Sequence, residues 1–149
     1  MTKSARNFFT HDEEEEIKHA ILNAELDTSG EIRVHVENTC QGDVLDRAAA
    51  VFKLLKMHET DLRNGVLIYL AVKNRKFAII GDSGINAVVE KDYWERMKLN
   101  MLDEFRNERF ATGLVGAIIE TGKILKSHFP YKSTDKNELP DEISFGDES

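Results

Sequence analysis

The chain has 149 residues and a mass of 17.0 kDa, with 41% hydrophobic and 32% charged residues and a net charge of −7. That length suits one domain with a single core. The acidic balance excludes the basic face a nucleic-acid binder needs, and no apolar run approaches the roughly 20 residues required to span a bilayer.

The first residues, MTKSARNFFTHDEEEE, turn acidic where a secretory leader would be apolar. With Cys40 as the single cysteine no internal disulfide is available, so a reducing, cytoplasmic setting and stability from packing are expected. Residues 1–9 read as a flexible lead-in, 10–130 as one domain, and 131–149 as a disordered acidic tail. Residues 132–149 hold six acids against two lysines and little apolar surface to offset their ordering entropy. Such a tail can dock a protein partner, or it can simply keep the chain soluble. A monomer is expected.

Thr10 and Glu13 have capping-box spacing, and Asp12 to Glu16 place carboxylates where a helix start favours them. Ile17, Ala20, Ile21 and Ala24 form the buried stripe of that helix. GEIRVHVE alternates Ile32, Val34 and Val36 against Glu31, Arg33 and His35, the period of a strand near an edge with one solvated face. His35 is expected on that wet face. Val44, Ala48, Val51, Phe52 and Leu55 repeat at helical spacing over 44–57, completing a βαβ unit with GVLIYLAV, an apolar central strand at 65–72. The short break at Asn74-Arg75 makes KFAIIG the antiparallel partner of that strand. Two further helices follow, one carrying Tyr93, Trp94, Met97, Met101 and Phe105, the other running from Phe110 towards Pro130, with Gly113 and Gly116 suited to close packing. The expected fold class is α/β: a central mixed β-sheet with a βαβ unit and a β-hairpin, flanked by helices on both faces.

Gly81-Asp82-Ser83-Gly84 after the hairpin has the look of a serine-hydrolase block. A G-x-S-x-G elbow would need its second glycine where Ile85 stands. The chain is too short and helix-rich for a double-barrel protease, and no histidine is preceded by an aspartate three residues earlier, as the small GDS esterases require. A serine without a base is a weak nucleophile. Six residues separate Cys40 from Arg47, one more than a cysteine-phosphatase loop allows, and no P-loop, G-x-G-x-x-G or paired metal-ligand histidines occur.

A right-handed βαβ crossover followed by a hairpin places three loops at one end of the sheet. Asp27 and Glu31 open the first strand, Glu59 and Asp61 precede the second, and Asp82 and Ser83 follow the third. Those oxygen donors suit a hard cation, Ca²⁺ or Mg²⁺, with Asp82 the foremost ligand; Arg63 competes as an ion-pair partner.

The segments SGEIRVHVE, RNGVLIYLAVKNRKFAIIGDSGIN, YWERM and FATGLVGAI together resemble the TPM domain family over about residues 8 to 130. The resemblance implies a mixed sheet flanked by helices, and divalent-cation binding, which carries across best to Asp82. It also implies the family's phosphatase label, which comes from an acid phosphatase activity of a thylakoid-lumen member. Many relatives carry a signal peptide and a C-terminal membrane helix, so a free-standing cytosolic form is expected. The leading expectation is a non-enzymatic divalent-cation-binding domain. The alternatives are a metal-assisted phosphomonoester hydrolase using a metal-activated water, and a protein-interaction module.

Overall fold

The computed structural model describes residues 4–131 and 143–146. Helix α1 (His11–Glu25) starts at the expected capping box: the Thr10 hydroxyl accepts from the Glu13 amide at 3.1 Å, and the Glu13 carboxylate accepts from the Thr10 amide at 2.9 Å. Strand β1 (Glu31–Glu37), helix α2 (Val44–Leu54) and strand β2 (Gly65–Ala71) then form the βαβ unit, with β1 and β2 parallel and Glu31 opposite Gly65. Strand β3 (Lys76–Gly81) returns antiparallel to β2, with Val66 opposite Gly81. The one-turn helix α3 (Ser83–Asn86) and helices α4 (Tyr93–Arg106) and α5 (Phe110–His128) follow, and strand β4 (Ser144–Phe145) completes the sheet in the order β3-β2-β1-β4.

Period-2 alternation divides β2 between two cores. Val66, Ile68 and Leu70 face α1, α4 and α5 together with Ile32, Val34, Val36 and Leu114. Leu67, Tyr69 and Ala71 face α2, against Ala48, Val51 and Phe52. Every residue of β2 is buried, as its unbroken apolar run requires.

Three expectations change. Residues 4–9 are not a loose lead-in: a single 3-10 turn at Ala5–Asn7 buries Ala5 and Phe9, and the Ala5 amide donates to Asn38 at 2.7 Å. The tail is structured at 143–146, where Ile143 is buried and β4 pairs in parallel with β1. Residues 1–3, 132–142 and 147–149 lie outside the described residues. Third, β1 has no wet face: six of its seven residues are buried, His35 among them at 4% exposure.

Among the α5 glycines, Gly113 lies against Phe105 and the Met101 carbonyl, while Gly116 has open space around it. Gly113 thus packs closely on α4 as expected, and a further close helix contact is made by Gly122, where a Cβ would meet the Cα of Ala24 on α1 at 2.9 Å.

Candidate functional site

The register puts the loop before β1, the loop before β2 and the loop after β3 at one end of the sheet. At that end Asp82, 7% exposed, caps α3 by accepting from the Ser83 amide at 2.7 Å. Its two carboxylate oxygens take a bidentate pair from Arg63, Nε to Oδ2 at 2.7 Å and Nη2 to Oδ1 at 2.8 Å. Arg63 reaches it from a left-handed backbone conformation, φ +50°, that few non-glycine residues adopt.

The glycine loop acts by close approach, since neither Gly81 nor Gly84 has a positive φ. A Cβ on Gly84 would lie 2.0 Å from the Leu62 carbonyl oxygen, and its amide donates to the Arg63 carbonyl at 2.7 Å. The Gly81 carbonyl accepts from Asn86 Nδ2 at 2.8 Å, and Asn86 in turn accepts from Trp94 Nε1 at 2.7 Å. Strand end, turn and the preceding loop therefore form one hydrogen-bonded knot.

The other oxygen donors are spread around it. Glu31 is buried at the start of β1, while Asp27, Glu59, Asp61 and Ser83 are exposed. Asn64 Nδ2 donates to the Ser29 hydroxyl at 3.3 Å, tying the loops before β1 and β2 together. Among the described residues no three His, Cys, Asp or Glu side chains stand close enough to hold an ion. The Ser83 hydroxyl takes no hydrogen bond among the described residues, so no base stands ready to activate it.

A second polar cluster lies towards the other end of β1, and sequence reasoning missed it. Glu37 accepts from Arg47 of α2, Nε to Oε2 at 2.8 Å and Nη2 to Oε1 at 2.9 Å, and from the Tyr69 hydroxyl of β2. His35 Nε2 lies 3.3 Å from Glu37 Oε1, its ring stacks on Tyr69 at 6.0 Å, and its Nδ1 lies 2.9 Å from the Ser144 hydroxyl of β4. Burial by itself would raise the Glu37 pKa, but the hydrogen bonds from Arg47, Tyr69 and His35 outweigh it and hold the group at about 2. Burial pushes the His35 pKa below its ordinary value, with Glu37 only partly opposing. Burial and the adjoining carboxylate push Tyr69 well up. Ser144, His35 and Glu37 thus form a line resembling a catalytic triad in connectivity alone, because Glu37 is already committed to Arg47 and Tyr69. One signal was available in the sequence: a tyrosine within GVLIYLAV must find a partner for its hydroxyl.

With this sheet, its helices and its knotted GDSG end in place, the family model for the TPM domain matches residues 3–124, and the chain belongs to the TPM domain family. It is 49% identical to the BA42 protein of the psychrophilic bacterium Bizionia argentinensis, known from an NMR structure. That match covers 93% of this chain and 96% of that one, with a TM-score of 0.86. The fold recurs in the N-terminal domain of a protein from P. gingivalis, at 15% identity and TM-score 0.70 over 84% of this chain and 83% of that one. It recurs again in the N-terminal domain of cg2496 from Corynebacterium glutamicum, at 14% identity and TM-score 0.64 over 89% and 84%. No curated protein matches. Among the described residues no helix is long and apolar enough to cross a membrane.

Proposed function

We propose that this chain is a non-catalytic binding domain that takes a divalent cation, Ca²⁺ or Mg²⁺, on Asp82 in exchange for Arg63. The observation that carries this reading is the Asp82 carboxylate itself: it is nearly buried, fixed by the cap of α3, and neutralised by a guanidinium whose side chain is 48% exposed. A buried carboxylate needs a counter-charge. Arg63 supplies one, and a hard cation is the other kind of group that two carboxylate oxygens accept. Because no cluster of three ligands is preformed among the described residues, the ion site is completed by movement: Arg63 turns out, and Asp61 or Glu59 of the same exposed loop turns in. Glu31 borders the site from β1. The cation resemblance of the family supports the same reading.

The test is a Ca²⁺ and Mg²⁺ titration of chelator-treated protein, followed by amide NMR. Saturable shifts confined to residues 27–31, 57–64 and 81–86 are expected, and Asp82→Asn abolishes them. Arg63→Gln removes the competitor and tightens binding by about tenfold, the equivalent of about 1.4 kcal/mol. A folded Arg63→Gln variant that binds no better than the parent would sink the exchange, and a flat titration of both would sink the site.

A further inference from the structure

Strand β4 is held on β1 by a set of contacts that read its side chains one by one. Ile143 is buried in the larger core, and Phe145 packs on that core beneath the Arg6 guanidinium, which lies 5.1 Å from the ring centre. Ser144 points to the opposite face, where its hydroxyl lies 2.9 Å from His35 Nδ1 and 3.2 Å from the Val34 carbonyl. Gly146 donates its amide to the Val36 carbonyl at 2.9 Å, and a Cβ there would strike Glu37 Cβ at 2.5 Å. The receptors for all four positions lie within residues 4–131.

The strand is nevertheless small. Two residues pair with β1, against seven in the β1/β2 ladder, and eleven residues separate Ile143 from Tyr131. Without it, β1 would present a bare edge, a row of backbone donors and acceptors that accepts an added strand. An edge carrying an aliphatic pocket, a hydroxyl acceptor, an aromatic seat and a glycine-only position is more selective than a bare edge needs to be.

We propose that the outer edge of β1 is a peptide-docking groove reading an aliphatic–hydroxyl–aromatic–glycine segment in parallel orientation, and that residues 143–146 are a tethered occupant competing with such a segment of another protein. Backbone pairing supplies general affinity, and the hydroxyl and glycine positions supply selection. Tethering keeps the groove closed until a partner segment outcompetes an intramolecular one, so the partner must bind tightly or be abundant.

The experiment uses the full chain and a fluorescein-labelled peptide of residues 140–149. In the variant Ile143→Asp/Phe145→Asp the tethered strand is displaced. That variant is expected to bind the peptide at least tenfold more tightly than the parent, with amide shifts confined to residues 5–8 and 33–38. A peptide carrying Gly146→Ala should fail to bind. A folded double variant that ignores the peptide, or accepts the Gly146→Ala peptide equally well, overturns the proposal. Should the double variant not fold, a protease site placed within residues 132–141 and cut after folding gives the same answer: reversible loss and rebinding of the cut tail supports the groove. Retention of the cut tail at any dilution, or unfolding on its release, overturns it. A parent chain that dimerises with concentration while the double variant stays monomeric assigns the groove to a second copy and overturns the partner reading. The shifts read here fall outside the residues that report cation binding, so the two proposals fail separately.

Discussion

Glu37 ties three elements together through one carboxylate: it ends β1, receives Arg47 from α2 and receives Tyr69 from β2. Glu37→Gln keeps one acceptor oxygen but removes the charge and turns the other oxygen into a donor that faces donors, so it should lower stability by about 2 kcal/mol in urea unfolding, less than a fully buried pair because Arg47 is half-exposed. The same cluster sets an acid response in two windows. The native His35 pKa lies below the unfolded value of 6.5, so the unfolded chain binds the extra proton first and stability falls as pH drops below that value. Glu37 is held at about 2 against 4.5 unfolded, so its contribution is complete above 4.5 and is lost as pH falls towards 2. Urea midpoints measured against pH should show both slopes, and His35→Gln should flatten the upper one while leaving most of the lower, which Arg47 and Tyr69 sustain. An unchanged upper slope in that variant would place its origin elsewhere. Alternation along GEIRVHVE located these side chains on one face of β1 but led to the wrong surroundings for them. Periodicity reports polarity, and His35 and Glu37 of this face bond to each other and to Arg47 and Tyr69 instead of meeting water. The pairing depends on Arg47 and Tyr69, ten and thirty-two residues away in sequence, and no local pattern encodes that.

At the level of elements, the central strand, the hairpin and the parallel βαβ unit were all legible, because a continuous apolar run and a short Asn-Arg break have few alternative readings. Loop placement follows from that topology, and the register puts the loops before β1, before β2 and after β3 at one end of the sheet. The glycines were harder, since sequence gives their positions and not their neighbours. Gly116 has open space and sits inside α5, so Gly116→Ala should raise stability by up to about 1 kcal/mol. Gly122→Ala, which forces α5 away from the Ala24 backbone, should lower it by about 1 to 3 kcal/mol. Thermal unfolding of the two variants side by side checks the contrast; equal effects would mean that the helix crossing yields easily. Gly84→Ala should cost more than either, because the Leu62 carbonyl would lie 2.0 Å from the new carbon and backbone cannot rotate aside.

Across the whole molecule, β2 is buried on both faces and paired on both edges, whereas β4 rests on two residues. Native-state hydrogen exchange should therefore find the β2 amides opening only with global unfolding and the amides of Phe145 and Gly146 opening far more readily. Protection of β4 equal to that of β2 would show a strand locked into the cooperative unit. Four apolar or small residues among acids, ISFG within DEISFGDES, carry too little signal to mark this strand in the sequence.

The sheet is also assembled out of chain order, and this matters during synthesis. The β2–β3 hairpin is local and β1 needs only the α2 crossover, but β4 must close a loop back to His35 from Ser144. At translation rates of about 5 to 20 residues per second, the interval between synthesis of Tyr131 and of Phe145 is about 1 to 3 s. β4 is the last element to leave the ribosome, and until it docks the β1 edge stays open to chaperones and neighbouring chains. Chains ending before Ile143, stalled behind a linker long enough to hold the domain outside the ribosome, should crosslink to such neighbours through residues 33–37, and chains carried past Gly146 on the same linker should not.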